Sequence, residues 1–149
     1  MKYLVIGASG TGGCIGGFLG KAGKDVTLIA LQKFSFVSPM AALGASYDIP
    51  SAAVQKEGDF RSMFAALIQE IKALSDAMQV SLPENIVEIN LKIMDDLIPT
   101  ATASMQRDIK NGKQSEVDGL VYQVVRLGEQ YHVPVPVYTK LADKLRQML

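Results

Sequence analysis

The chain has 149 residues, enough to bury a substantial core in one domain or in one domain with an appendage. Its 15 basic and 15 acidic residues balance and are dispersed without runs, which argues against a nucleic-acid partner. A single cysteine cannot form an internal disulfide, and one cysteine with one histidine predicts no structural zinc site. Charges interrupt the apolar N-terminal stretch before it reaches membrane-spanning length, so we expect a cytoplasmic protein with no membrane partner.

Two apolar runs flank a small-residue stretch in the first thirty residues. Leu4 to Ile6 and Val26 to Ala30 have the composition of short strands in a buried parallel sheet. Residues 14–22, which lie between the two runs, have helix-compatible apolar spacing. The pattern predicts a strand, a helix and a second strand, which together form a βαβ unit.

A glycine-rich turn joins the first predicted strand to the predicted helix. Glycine allows a tight turn and close approach to a pyrophosphate, and the helix N-terminus supplies free N–H groups. In the common G-x-G-x-x-G motif counted from Gly7, the second glycine would stand at position 9, where this chain has serine. The glycines at residues 7, 10 and 13 form a variant with a spacing of three. We predict a dinucleotide-binding turn with these members: Gly7, Ser9, Gly10, Thr11 and Gly12. A turn that binds no ligand is the alternative.

No residue predicted near this turn indicates whether the nucleotide is NAD or NADP. An acidic residue at the end of the second strand would bind a ribose hydroxyl, and an arginine there would accommodate a 2′-phosphate. The predicted strand ends Leu-Ile-Ala-Leu-Gln over residues 28–32, which includes neither residue type.

Beyond Gln32 the pattern is helical. Residues 33–47 predict a helix that is kinked at Pro39 or begins there. Asp59 is the predicted N-cap of a long helix with apolar residues at spacings of three and four. Its expected core-facing residues are Phe60, Met63, Phe64, Leu67, Ile68, Ile71, Leu74 and Met78.

The second half of the chain predicts four more helices. Ser81 and Pro83 precede a helix that ends before Pro99. A short helix is expected over residues 104–110, a longer one follows Ser115, and the last covers residues 137–149 after a break at residues 132–136. The methionines at helical spacings are expected to fill gaps in the core, and His132 is expected to be a loop residue. The helix after Pro83 is expected to bury Ile86, Ile89, Ile93 and Leu97.

Residues 104–118 are polar, unlike the apolar stripes around them. Taken alone, Ser115 as a cap and Asp118 in a first turn are ordinary features of a helix start. The segment also resembles the C-terminal helical domain of ketopantoate reductases (2-dehydropantoate 2-reductases). In that family a Ser-Met-x-x-Asp helix leads through a glycine loop into a Thr/Ser-Glu-Ile/Val-Asp helix start. The resemblance continues to the Val-Pro turn at residues 133–134.

The N-terminal part resembles the same family. Residues 1–30 are similar to its opening βαβ unit, and Leu-Gln-Lys-Phe at residues 31–34 is similar to the start of its first inter-domain helix. The resemblance implies a mainly α fold with a short N-terminal βαβ unit. A partial Rossmann-like piece would cover residues 1–30, and a helical substrate-binding and dimerisation domain would cover residues 31–149. The rest of the nucleotide-binding domain has no counterpart between them.

The resemblance also implies roles for three residues. Lys33 matches the family's catalytic lysine, which would donate a proton to the ketone oxygen as hydride reaches the adjacent carbon. Glu116 matches the active-site glutamate that holds the lysine or the ligands in place. Ser104 matches the serine that hydrogen-bonds the substrate carboxylate. The implied cofactor is NADP.

Two positions depart from the family pattern. Where the family carries substrate-binding asparagines four and eight residues after the lysine, this chain has Val37 and Ala41. Each missing buried hydrogen-bond partner would weaken binding of the small hydroxy acid by about 1 to 3 kcal/mol.

Two functions therefore remain open at this stage. The first is an oxidoreductase that reduces 2-dehydropantoate or a related 2-keto acid, with a dimer partner completing the site. The second is a non-catalytic remnant, or a deliberately shortened chain, whose helical domain mainly dimerises. A two-stranded parallel sheet leaves open edges, so we expect a homodimer in which two βαβ units form a four-stranded sheet.

Overall fold

The computed structural model describes the backbone of residues 26–149 and the side chains of residues 31–149. Within that part of the chain it has seven α-helices, one π-helical segment and no strand. The mainly α class is therefore confirmed. The elements are α1 (Val26–Tyr47), α2 (Ser51–Gln55), α3 (Asp59–Ala77), α4 (Ile86–Asp95), α5 (Ser104–Lys110), the π-helical segment Asp118–Tyr122, α6 (Gln123–Tyr131) and α7 (Pro136–Met148).

The predicted second strand, Val26 to Ala30, is wrong, because these residues form the start of α1. A short apolar run fits a buried helix as well as a buried strand, and here it continues into a longer helical pattern. The first predicted strand, the glycine turn and the helix at residues 14–22 lie outside the described residues. The division of the chain at residue 30 stays a prediction.

Two predicted helix starts also differ from the structure. Gly58 is the N-cap of α3, with a φ of 146°, and Asp59 is the first residue of the helix. That φ value favours glycine, and the Asp59 carboxylate still lies in the first turn, where the helix dipole stabilises it. Pro39 lies inside α1 and does not begin the helix. The helix after Pro83 begins later than expected, at Ile86.

The buried face of α4 is rotated from the predicted one. The structure buries Ile86, Asn90 and Met94, whereas Ile93 is 43% exposed. Asn90 faces inward because its side-chain amide donates to the backbone carbonyl of Ser35 at 3.1 Å and to the Ser35 hydroxyl at 3.0 Å. A periodicity based on apolar residues misses a buried amide that has partners of this kind.

Helix α1 is central to the bundle and packs against α3, α4, α5, α7 and the π-helical segment. The α5 bounds are as predicted, and the closing helix is confirmed with a start one residue earlier. Two of the predicted gap-filling methionines are fully enclosed in the core. The largest fully buried side chains include Phe64, Leu67, Ile68, Ile86, Met94, Met105, Tyr138 and Leu141.

Helix α7 is capped by a side chain from α3. The Glu70 carboxylate, 8% exposed, accepts the N–H of Val137 at 2.7 Å and the N–H of Tyr138 at 3.0 Å. Pro136 has no N–H to satisfy, so Glu70 takes the next two free donors of the helix. Burial raises the pKa of Glu70 above its ordinary value, and the two backbone hydrogen bonds oppose that rise.

The raised pKa predicts a pH dependence of stability. Between the unfolded pKa, near 4.5, and the higher folded pKa, the native state binds more protons than the unfolded state. The free energy of unfolding should therefore fall as the pH rises through this interval. Urea unfolding at several pH values should show that the free energy of unfolding depends less on pH in Glu70→Gln than in the wild type. Glu129→Gln, at an exposed position of α6, should show the same dependence on pH as the wild type. Equal slopes for Glu70→Gln and the wild type would contradict the assignment.

Gly128 permits close contact between α6 and the turn that follows it. A Cβ added at Gly128 would lie 2.7 Å from Val135 Cγ2 and 2.9 Å from the Val133 carbonyl oxygen. Gly128→Ala should therefore lower the free energy of unfolding, measured in urea, by about 1 to 3 kcal/mol, because the backbone at Val133 has to move. Gly119→Ala is the matched control, since a Cβ there meets nothing within 4 Å. A Gly128→Ala protein as stable as the Gly119→Ala protein would show that the turn adapts without cost.

Candidate active site

Lys33 is exposed on α1 between two buried neighbours, Leu31 and Phe34. Val37 and Ala41 follow it at intervals of four residues and therefore share its face of the helix. Along this face the side chains become progressively less exposed, because Val37 is half-buried and Ala41 is 1% exposed. The face thus offers one cation beside an apolar surface.

Helix α5, which begins at Ser104, runs in the same direction as α1. Near the C-terminal end of α1, Asp48 accepts hydrogen bonds from Gln106 Nε2 and from Lys110 Nζ, each at 3.0 Å. About two turns earlier on α1, Met40 lines a small cavity together with Ala103, the residue before α5. The start of α5, with the exposed Ser104, therefore lies near Met40, seven residues beyond Lys33.

Gly44 allows α5 to lie close to α1. A Cβ at Gly44 would be 2.6 Å from the Gln106 side-chain oxygen, a separation that real Cβ atoms do not adopt. Gln106 is itself buried and held by Asp48 through its amide nitrogen. The hydrogen bonds from Gln106 and, next, Lys110 hold the pKa of Asp48 below its ordinary value. This contact fixes where the Ser104 end of α5 lies against α1.

Glu116 is exposed and comes two residues before the π-helical segment. Its backbone carbonyl accepts the N–H of Leu120 at 2.9 Å. One buried hydroxyl attaches this segment to α1, because Ser38 Oγ donates to the Leu120 carbonyl at 2.6 Å. The same Ser38 Oγ lies 2.5 Å from the Tyr138 hydroxyl of α7. Because Ser38 donates to Leu120, the Tyr138 hydroxyl is the donor to Ser38. Burial raises the pKa of Tyr138, so the hydroxyl retains its proton.

The structure thus places Lys33 on α1, Ser104 at the start of α5 and Glu116 just before the π-helical segment, and both α5 and that segment pack against α1. The contacts that join these elements involve Ser38, Tyr138, Gln106 and Asp48, which the sequence analysis did not single out. A serine in the apolar pattern of α1, just before Pro39, was the available signal. The predicted members of the dinucleotide-binding turn, residues 7–12, lie outside the described residues.

Within residues 26–149, no group of three or more metal-ligating side chains is found. In the same part of the chain, no helix combines the length and the apolar character required to cross a bilayer.

The helical fold of residues 26–149 is shared with solved structures of a 2-dehydropantoate 2-reductase and a D-mandelate dehydrogenase. The model of the ketopantoate reductase PanE/ApbA C-terminal domain matches residues 25–149, and the chain belongs to that family. The resemblance predicted from residues 104–136 is therefore confirmed. A curated relative, the uncharacterized oxidoreductase YkpB of Bacillus subtilis, is 58% identical over 33 residues, which are 22% of this chain and 11% of YkpB.

Several solved structures share the fold. A 2-dehydropantoate 2-reductase from Methylococcus capsulatus has a TM-score of 0.75 at 23% identity over 89% of this chain and 44% of its own. A dimeric ketopantoate reductase from Staphylococcus aureus has a TM-score of 0.76 at 14% identity over 87% of this chain and 50% of its own. A D-mandelate dehydrogenase solved with NADH has a TM-score of 0.74 at 20% identity over 83% of this chain and 43% of its own. The chain spans half or less of each of these proteins.

The Ser38 and Tyr138 hydroxyls should be important for stability. Ser38→Ala leaves the Tyr138 hydroxyl without its acceptor and the Leu120 carbonyl without its hydroxyl donor. The free energy of unfolding, measured in urea, should therefore fall by about 1 to 3 kcal/mol. Ser75→Ala is the control, because Ser75 is equally buried but donates only to Lys72 of its own helix, at 2.7 Å. Amide exchange should accelerate at residues 118–122 in Ser38→Ala alone. Equal effects of the two substitutions would contradict the assigned link.

Proposed function

We propose that this chain takes part in the reduction of a 2-keto acid to a 2-hydroxy acid, with 2-dehydropantoate and pantoate as the family's pair. The family match over residues 25–149 carries the proposal, because it covers the whole helical domain in which Lys33, Ser104 and Glu116 lie. The exposed lysine supports it as well. A cation on an otherwise apolar helix face is suited to a ligand whose oxygen becomes negatively charged during reaction.

Each of the three residues has a distinct role in this proposal. Lys33 donates its ammonium proton to the ketone oxygen and stabilises the charge that develops there. Ser104 donates a hydrogen bond to the substrate carboxylate. Glu116 orients the lysine or the bound ligands. NADPH, when bound, supplies the hydride, and the turn at residues 7–12 is the proposed seat of its pyrophosphate.

The choice of NADP over NAD rests on the family resemblance. The residues expected to end a second strand and to contact the ribose belong to α1. They therefore give no preference between the two nucleotides, and both nucleotides belong in the experiment.

A second candidate is a helical domain that dimerises without catalysis. Val37 and Ala41 favour it, because both stand where the family has substrate-binding asparagines and neither can donate a hydrogen bond from its side chain. We propose a homodimer in either case, in line with the dimeric Staphylococcus aureus reductase. Pairing of two-stranded sheets is no longer its basis, since residues 26–30 are helical.

Titration of the full chain with NADPH and with NADH, followed by nucleotide fluorescence, separates the two candidates. The reductase predicts saturable binding and oxidation of the nucleotide after addition of 2-dehydropantoate or a related 2-keto acid. Lys33→Ala should lower the rate by about 100-fold or more, because the proton donor is lost. Lys140→Ala removes an exposed lysine of α7 and should leave the rate unchanged. Absence of nucleotide binding, or equal rates for the two variants, would contradict the reductase.

A further inference from the structure

The connection between α4 and α5 leads directly to Ser104. It covers residues 96–103 and contains a turn with Pro99 at its second position, a place that suits proline. The N–H of Ala101 closes this turn by donating to the Ile98 carbonyl at 2.9 Å. Only two residues separate Ala101 from Ser104. The position of the turn therefore limits where the Ser104 hydroxyl can lie.

The short helix α2 holds this turn in place. The N–H of Ser51 donates to the Ala101 carbonyl at 2.9 Å. The N–H of Ala52 donates to the Pro99 carbonyl at 3.0 Å. The first N–H groups of a helix have no acceptor within that helix, so the turn supplies the acceptors that α2 requires. Ser51 Oγ adds a third hydrogen bond, to the Ile98 carbonyl at 2.6 Å, and Ser51 is only 2% exposed.

The other end of α2 holds the end of α4. Gln55 Nε2 donates to the Met94 carbonyl at 2.9 Å and to the Leu97 carbonyl at 2.8 Å. The last carbonyls of a helix have no donor within it, so the Gln55 amide supplies one. Beside this contact, Arg61 of α3 forms a bidentate ion pair with Asp95 at 2.7 and 2.9 Å. Both ends of α2 are thus bound to the chain segment that leads to α5.

The start of α5 depends on this segment. Helix α5 has seven residues, too few for a helix to be stable by itself, and its N-cap residue, Ala103, makes no side-chain cap. Arg107 compensates, because its Nη1 donates to the Thr102 carbonyl at 2.6 Å and to the Thr102 hydroxyl at 3.1 Å. A displacement of the turn is therefore passed through Thr102 and Ala103 to Ser104.

We propose that Ser51 and Gln55 are positioning residues for Ser104, because they hold the turn that precedes α5. The inference rests on the proposed function, in which the Ser104 hydroxyl binds the substrate carboxylate. The Ser51 hydroxyl and the Gln55 amide nitrogen both donate to backbone carbonyls, so they act on the substrate through Ser104 and do not contact it.

Hydrogen exchange on the full chain tests the positioning without reference to activity. Ser51→Ala and Gln55→Met each remove the side-chain donors of one end of α2. Relative to the core amides of α3, exchange at Ala52, Ala101 and Arg107 should accelerate by about tenfold, because local opening becomes easier. Ser51→Thr keeps the hydroxyl and should retain slow exchange.

Two substitutions on α3 are the matched controls. Ser75→Ala changes a buried serine that donates only within its own helix, to Lys72. Gln69→Met changes an exposed glutamine. Neither should alter exchange at the turn relative to the core amides.

The KM for 2-dehydropantoate tests the consequence for the substrate. The carboxylate is bound in the ground state and in the transition state alike, so Ser51→Ala and Gln55→Met should raise KM by about tenfold with little change in kcat. Ser104→Ala should raise KM as well, and the double substitution of Ser51 and Ser104 should add nothing further, because both act through one contact. If there is no turnover, the dissociation constant from saturation-transfer NMR takes the place of KM.

The outcomes separate this inference from the proposed function. Unchanged exchange at the turn in both α2 variants would overturn the positioning role. Faster exchange with an unchanged KM, alongside a raised KM in Ser104→Ala, would overturn the link to the substrate and leave the reductase intact. An unchanged KM in Ser104→Ala, or absence of acid binding to the wild type, would overturn the proposed role of Ser104 together with the inference.

Discussion

A buried chain of hydrogen bonds holds four elements of this domain in place. It begins at Glu70 on α3, whose carboxylate accepts the first free N–H groups of α7. It continues from the Tyr138 hydroxyl on α7 to Ser38 on α1 and ends at the Leu120 carbonyl of the π-helical segment. Buried polar groups are costly unless they are paired, so each member fixes the position of the next. The apolar core around these groups supplies most of the stability, and the chain of hydrogen bonds specifies the arrangement.

This arrangement explains how one helix serves both the core and a candidate site. Ser35 and Ser38 of α1 are turned inward, where they bind α4, α7 and the π-helical segment. Lys33, in contrast, is exposed, and the half-buried Val37 follows it one turn later on the same face of α1. The close contact at Gly44 brings α5 alongside α1, and the Ser104 end of α5 lies near Met40. Lys33 and Ser104 thus lie on two helices that pack against each other.

Much of the domain could be predicted from the sequence, and the errors have physical causes. Helix α5 and the closing helix have clear start and stop signals, and both were predicted to within one residue. The run Val26 to Ala30 fits a strand as well as a helix in the sequence, because a short apolar run does not distinguish a strand from a buried helix, and the structure has a helix there. The face of α4 was misplaced because Asn90 is buried by partners on a different element, which no local pattern records. Lys33, Ser104 and Glu116 came from a family resemblance, whereas Ser38, Tyr138 and Gly44 emerged once tertiary contacts were known. The roles of the three predicted residues and of the turn at residues 7–12 stay proposals.

The central claim is that the Lys33 face of α1 and the start of α5 form one wall of a 2-keto acid site. Backbone NMR on the full chain, titrated with 2-dehydropantoate in the presence of NADPH, tests this claim most directly. The account predicts saturable chemical-shift changes concentrated at residues 33, 37, 40 and 104, with little change at the far end of α7. Saturable changes centred on the C-terminal half of α7 or on the α4 surface around Ile93, with none near Lys33, would contradict it.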